Sequence, residues 1–303
     1  MTRTVSILGL VGFVCVLPAA AVAQPALGEM PASAPAAEEV EDLDDVVVHD
    51  VDSEWNPMNF PEIERIVNVP TARVTRKFAF LFVVDHRASE AIRNNPFQDF
   101  FGFDGGNLKI GLGLRFGVWD DLDVGVYRLS RGSDPFTVWE LDARWRFLQQ
   151  EKYVLDMTAR AGGTWFQQAP VSDSAGGGFA QLAITRSFFN ERLVLSTGLF
   201  YHSSSSSDAK SDLDKAWSLA IPAGIEGRPL TWLAFDFEVV GAVAGYRAAY
   251  PGISGAVKFV TNRHTFSIIV ANTQYISADG IAGSDRGIRD VLIGFNITRE
   301  FHL

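Results

Sequence analysis

The sequence predicts an all-β protein: a single closed antiparallel transmembrane β-barrel of about 12 strands (range roughly 10–14) behind a disordered N-terminal leader. Three observations predict it. Hydrophobic residues make up 47% of the 303-residue chain and mean hydropathy is positive, yet past the N-terminus no stretch approaches the roughly 18 apolar residues of a membrane helix. From about residue 71 onward the chain repeats ~10-residue segments that alternate apolar and polar. The links between those segments alternate short and long.

Residues 1–23 read as a secretory signal peptide, with Arg3 at the start, an apolar run from Val5 to Val16, and a small-x-small site at Ala21-Val22-Ala23. The run is too short to cross ~30 Å of hydrocarbon as a helix. Cys15, the only cysteine, lies inside it, and the bulky Phe13-Val14 before it argue against a lipid-anchoring cysteine. Cleavage then leaves a mature chain without a thiol, which excludes disulfides, thiolate metal sites and a cysteine nucleophile.

Residues 24–70 are rich in Ala, Pro and acidic side chains and read as a disordered periplasmic linker, unable to bury enough apolar area to offset its ordering entropy. The formal charge of −10 sits here and not in the barrel. Residues 24–65 carry twelve acidic side chains against Arg65, and from Ile66 onward 24 acidic residues balance 24 basic ones. Nucleic-acid binding therefore has no electrostatic support. Asp44-Asp45-Val46-Val47-Val48 resembles the coupling box of TonB-dependent transporters, but the much larger barrel and plug domain of those proteins do not fit a chain of this length.

Residues 71–303 are assigned to the barrel. The pattern is clearest where Leu108, Ile110, Leu112, Leu114, Phe116 and Val118 alternate with Lys109, Gly111, Gly113, Arg115 and Gly117. It recurs where Trp139, Leu141, Ala143, Trp145 and Phe147 alternate with Glu140, Asp142, Arg144 and Arg146. A period of two gives one apolar and one polar face. Four charges on one inner face would be ruinous in a dry core, so the polar face is expected to meet a wet lumen and the apolar face lipid.

Twelve strands are read in this way. They span 74–85, 108–118, 122–130, 137–147, 153–165, 179–188, 193–202, 215–226, 231–240, 252–260, 265–273 and 290–301. Tight links fall at 119–121, 149–152, 190–192, 227–230 and 261–264, with longer Gly/Ser/Asp-rich ones between. Short periplasmic turns and long external loops are an outer-membrane habit. Aromatics such as Trp119, Tyr153 and Trp232 beside the turns, and Tyr127, Trp165 and Tyr201 near the loops, fit two membrane interfaces. An outer-membrane location in a Gram-negative bacterium follows, with the barrel-assembly machinery, outer-membrane lipids and lipopolysaccharide as expected partners. Oligomeric state is left open, and no cofactor or metal is expected.

Certain blocks carry a family resemblance: His86-Arg87, Phe100-Phe101-Gly102-Phe103-Asp104-Gly105, Gly125-Val126-Tyr127-Arg128-Leu129-Ser130, Thr261-Asn262-Arg263-His264-Thr265-Phe266, and Gly294-Phe295-Asn296-Ile297-Thr298-Arg299-Glu300-Phe301. With these the chain resembles the bacterial barrel family called domain of unknown function 5777, over roughly 71–301. The resemblance implies an outer-membrane barrel and brings no substrate.

Two sets of residues are candidate sites. By parity Lys109, Arg115, Glu140, Asp142, Arg144, Arg146, Asp156, Arg160, Asp236 and Glu238 line the lumen, joined by Lys77, Asp85, Asp123, Glu226 and Lys258. Mixed signs argue for ion pairs that brace the wall, whereas a one-signed ring would mark an ion-selective pore. His86, Arg128, His202 and Asn272 fall at the external rim, where His86, Arg128 and Asn272 share the lipid-facing parity and Arg is a natural partner for lipopolysaccharide phosphate.

Three readings of function follow. The first is a narrow channel or small-solute transporter, with Arg115, Arg144, Arg146, Glu140 and Asp142 at its constriction. The second is a closed structural or interaction barrel whose loops or tail bind partners. The third is a lipid-modifying enzyme, a hydrolase or acyltransferase built on His202. Parity turns His202 toward the lumen and away from lipid, so a non-enzyme is expected and no catalytic residue is assigned.

Overall fold

A computed structural model describes residues 64–88, 91–92, 108–130, 136–168, 175–205, 216–246, 248–274, 276–284 and 286–302. The signal peptide (1–23) and the linker up to residue 63 lie outside the described residues. Among these residues twelve strands are present: β1 (Ala79–Ala88), β2 (Leu108–Trp119), β3 (Leu122–Ser130), β4 (Phe136–Leu148), β5 (Asp156–Gln168), β6 (Ala175–Phe188), β7 (Leu193–Ser205), β8 (Ala216–Leu230), β9 (Leu233–Gly245), β10 (Gly252–Thr261), β11 (His264–Ala271) and β12 (Leu292–His302). Each pairs antiparallel with its sequence neighbour, and β1 closes on β12 in a register from Ala79↔His302 to Arg87↔Gly294. Every ladder hydrogen bond is thereby made within the wall, which is what crossing a bilayer demands of strands.

The alternation works as the period of two requires. In β4 the outward Leu141 is 56% exposed while the flanking Glu140 and Asp142 are buried. Outward side chains along other strands, among them Leu112, Leu114, Val126, Leu199, Phe235, Phe237 and Val270, form a continuous apolar exterior.

Several strand boundaries differ from the expected ones. β1 begins at Ala79 and not at residue 74, because Phe78 adopts φ 59° and donates its amide to the Gly117 carbonyl, which breaks the extended run. Residues 74–77 belong instead to a segment inside the barrel, and Lys77, expected in the lumen, is exposed with Nζ 5.2 Å from the Phe78 ring centroid. The tight link placed at 227–230 is part of β8, which carries an irregularity between Gly227 and Leu230; the turn itself is Thr231-Trp232. The short/long sorting of links is also less strict than the pattern suggested. The link 149–155 is longer than 131–135, since β4 and β5 extend further at the other end of the barrel. Tyr127, expected among interfacial aromatics, points inward and gives its hydroxyl to Asp85 at 2.8 Å.

One end of the barrel holds the short turns, the start of β1 and the end of β12 (the turn end); the other holds the longer connections (the loop end).

Candidate functional site

The lumen is occupied by the chain itself. Residues 64–77, the boundary of linker and barrel in the sequence reading, enter the barrel as a hairpin. Arg65 and Pro70 form an antiparallel bridge, Ile66 donates to the Val69 carbonyl at 2.9 Å, and Thr71 donates to the Glu64 carbonyl at 2.9 Å. Both legs therefore point the same way, toward the turn end. The leader boundary moves from residue 70 to residue 63 or earlier.

The hairpin's tip is gripped by one carboxylate. Glu238 on β9 accepts the backbone amides of Val67 (3.0 Å), Asn68 (2.8 Å) and Val69 (2.8 Å) on Oε2, and the Asn68 side-chain amide (2.7 Å) on Oε1. Three successive N–H groups converging on an anion form the nest that tight turns offer. Asn68 also donates to Ser254 Oγ at 3.1 Å and accepts from Arg87 at 3.1 Å. Lower down, Ala72 donates to Thr185 Oγ1 (2.8 Å), Thr158 Oγ1 donates to the Ala72 carbonyl (2.6 Å), Ser196 Oγ donates to the Pro70 carbonyl (3.1 Å), and Thr75 donates to Asp123 (2.7 Å). The hairpin's cations reach wall acids: Arg65 to Asp85 at 2.5 Å, Arg73 to Asp156 at 3.7 Å and Arg76 to Glu300 at 3.0 Å. Burial alone would weaken the Arg65 proton, but Asp85 and Glu64 more than offset it and hold the guanidinium pKa above its ordinary value.

Glycines on the inner face make the room. A Cβ on Gly117 would meet the Arg76 carbonyl oxygen at 1.9 Å, and one on Gly224 would meet Ile66 at 2.9 Å. Gly117 is thus a contact point for the inserted backbone and Gly224 for an inserted side chain, whereas Gly111 and Gly113 make room for the Tyr127 ring.

A second segment comes from the loop end. In the connection between β11 and β12, residues 276–284 are buried, and Ala278 donates its amide to Glu140 at 2.9 Å. Ile276 packs with Leu129, Val138 and Phe166; Ile281 and Ala282 pack with Val69 of the hairpin, Phe200, Ala220 and Val240. Between hairpin and inward loop remains a cavity of about 50 Å³, bordered by Asn68, Tyr127, Arg160 and Ile276. A second of about 40 Å³ lies beside Arg65, Lys258 and Thr298. Each has space for a few waters and none for a solute.

Of the predicted lumen residues, Arg115, Glu140, Asp142, Arg144 and Arg160 come together in one ladder across β2–β5. Arg115 donates to Asp123 (2.9 Å) and Asp142 (2.5 Å), Arg144 to Asp123 (2.5 Å), and Arg160 to Asp142 (2.7 Å) and Glu140. Glu64 of the hairpin approaches Arg115 and Arg144 at 3.8 and 3.7 Å. Asp236 sits in a separate cluster, where Lys258 bridges it (2.9 Å) and Glu226 (2.6 Å). Asp156 and Glu238 hold the hairpin. Lys109 is buried toward the loop end, opposite Arg87 in register. Arg146 does not join the ladder: it turns to Asp121 (3.0 Å) at the turn end, so it cannot line a constriction with Arg115 and Arg144. All these charges except Arg146 and Arg160 are nearly or fully buried and ion-paired or hydrogen-bonded; the expected water-filled interior is not what this conformation contains.

The rim residues separate. His86 faces outward and stacks on Phe295 at 4.2 Å, and Arg128 lies 5.7 Å from the Trp139 ring centroid, itself stacked on Trp165. Asn272, expected to face lipid, is buried. β11 ends at Ala271, so parity no longer applies, and its side chain accepts from Ile253 (2.7 Å) and donates to the Pro251 and Arg286 carbonyls (2.9 Å each). His202 is buried in the lumen. Its Nδ1 accepts the Ser204 amide at 3.0 Å, so Nε2 carries the proton toward Thr164 Oγ1 at 2.9 Å. In that tautomer it offers the threonine no general base.

Sequence comparison places this architecture. The profile of the membrane-bound β-barrel domain family DUF5777 matches residues 62–301, starting two residues ahead of the hairpin and ending within β12. The chain belongs to this family. As a DUF5777 member it is a membrane-bound β-barrel, and its domain includes the plugging hairpin. A comparison with curated protein sequences gives no match. Among solved structures the chain is similar to the KdgM porin (TM-score 0.44, 9% identity, 74% of this chain and 99% of that one). It is also similar to the NanC porin (0.44, 11%, 74% and 100%) and to the outer membrane protein Omp33 of Acinetobacter baumannii (0.42, 7%, 75% and 100%). At these identities the likeness concerns the barrel architecture, not a substrate.

Proposed function

We propose that this DUF5777 barrel is an outer-membrane channel for small solutes, held shut by its own N-terminal hairpin. The observation that carries the reading is the manner in which the hairpin is held. Its contacts are mostly hydrogen bonds and ion pairs to side chains that water can also satisfy. From Glu64 to Lys77 both legs point toward the turn end, which in this reading faces the periplasm, so the hairpin can move that way without threading through the wall. Opening must also give up the apolar packing of Ile66, Val67 and Val69 on the wall and the inward loop. Arg128 over Trp139 on the lipid face supports contact with lipopolysaccharide phosphate, the barrel-assembly machinery remains the expected partner in biogenesis, and no catalytic step is proposed.

The test uses the full chain. Ala72→Cys with Thr185→Cys puts thiols on two residues that the Ala72 backbone amide and the Thr185 hydroxyl hold together at 2.8 Å. Planar-bilayer recordings are expected to show conductance steps when the pair is reduced and none when it is oxidised. Silence in both states sinks the channel. A closed structural barrel is the second reading, favoured by the apolar seam of Val69 against Ile281 and Ala282 that seals hairpin to inward loop. It predicts that silence, together with loss of barrel stability when the seam is broken by Val69→Asp.

A further inference from the structure

We infer that the vacated lumen receives cations, because the hairpin is the internal counter-charge of an acidic wall. This rests on the hairpin being displaceable. Four inward carboxylates depend on it: Asp85 on Arg65, Asp156 on Arg73, Glu300 on Arg76, and Glu238 on three backbone amides and Asn68. The wall cations do not depend on it in the same way. Arg115 and Arg144 keep Asp123, Arg160 keeps Asp142 and Glu140, and Lys258 and Arg228 keep Glu226, all from one strand of the wall to another or along the same strand. Arg87 loses only the neutral Asn68 amide oxygen and keeps Asn296 at 2.7 Å. Withdrawal therefore uncovers carboxylates, while Arg115, Arg144, Arg160, Arg228 and Lys258 keep their wall carboxylates.

The residual partners of these acids are mostly weak in charge. Asp85 keeps the Tyr127 hydroxyl and, along the same inner face of β1, the nearby charge of Arg87; Asp156 keeps the Gln150 backbone amide, and Glu300 keeps His302. Inside low-dielectric walls such uncompensated acids concentrate counter-ions. The chemistry of their present partners, three guanidinium groups and a run of N–H donors, says what suits them: compact cations carrying several N–H groups, ammonium or guanidinium in type. The nearly balanced lumen composition hides this bias, because hairpin and wall cancel each other in the sum.

The test reads charge preference without requiring conduction. In the full chain, Arg65→Ala with Asn68→Ala weakens the hairpin from its own side and leaves the wall intact. Ser254→Cys, directly opposite Glu238 in register, then reports access. In folded protein, verified by heat-modifiable gel mobility, a cationic methanethiosulfonate reagent is expected to react about tenfold faster than the anionic one of similar size, after correction for their rates on a free thiol. Adding Asp85→Asn and Asp156→Asn should reduce that ratio to about threefold or less. Equal rates, a faster anionic reagent, a ratio unmoved by the two neutralisations, or no reaction with either reagent overturns the inference. A strong cationic preference in a protein that never conducts would uphold it and remove the channel reading instead.

Discussion

Glu238→Ala isolates the grip on the hairpin tip. The carboxylate accepts four hydrogen bonds, three of them from the consecutive backbone amides of Val67, Asn68 and Val69. Each buried donor left unsatisfied costs roughly 1–3 kcal/mol, so four would sum to between about 4 and 12 kcal/mol if nothing moved. Truncation also leaves space for water next to a cavity with room for a few, and the hairpin can leave instead of staying unsatisfied; the net loss is then about 3–4 kcal/mol of docking free energy. At about 1.4 kcal/mol per factor of ten, the opening equilibrium of residues 66–72 rises some 10²–10³-fold. Hydrogen exchange followed by mass spectrometry on protein in detergent reads this directly. Peptides covering 66–72 should lose protection by that factor while the ladders of β3–β5 stay unchanged. Retained protection at the tip would refute the single-carboxylate grip, and uniform loss across the strands would refute the separation of plug from wall.

Other substitutions test the remaining parts. Gly117→Val puts a branched side chain where the Arg76 carbonyl oxygen now sits, 1.9 Å from an ideal Cβ, so the hairpin should unseat while the barrel still forms, read as new protease cleavage near residues 70–77 without loss of heat-modifiable mobility. Arg144→Ala removes a buried partner of Asp123, and breaking such a pair costs roughly 3–5 kcal/mol, so the unfolding midpoint in denaturant should fall markedly, whereas Arg146→Ala at the turn end should change it little. Leu141→Arg sets a charge on the lipid face near the middle of β4 and should destabilise the folded barrel by about 2–4 kcal/mol in bilayer refolding titrations, with no change in hairpin exchange. His202→Ala should leave phospholipid and lipid A untouched, as in the unaltered protein, when either is incubated with extracted lipid and resolved by mass spectrometry.

The barrel was legible because membrane strands leave a mark in every second residue, and β2 and residues 139–147 of β4 carry it without a break. The hairpin leaves no such mark. Ile66-Val67-Asn68-Val69-Pro70 has neither a period of two nor one of 3.6, and its stability comes from partners more than a hundred residues away, such as Thr185, Ser196 and Glu238. A trace did exist. The acidic run stops at Glu64 and a basic series, Arg65, Arg73, Arg76 and Lys77, begins, which is the complement of the wall carboxylates. The inward positions near the loop end were a second trace. Leu129, Val138, Phe166, Phe200 and Val240 share the parity of Asp123, Glu140, Thr164, His202 and Glu238, and apolar groups on a lumen face mean that something dry covers them. Parity assigned the right face to Arg115, Glu140, Asp142, Arg144 and Arg160, but their mutual pairing depends on the register between strands, which no single strand contains.

The tip's position beside β9 and β10 has a consequence for how the molecule is made. Residues 67–69 precede every strand, yet the groups that seize them, Glu238 and Ser254, are supplied only after most of the chain has been synthesised and paired. Docking of this turn is an interaction of very long sequence separation and so belongs late in assembly. The tip can thus be seated only once β9 and β10 are in place, so the first segment of the domain to be made waits, unanchored at its turn, for strands near the other terminus.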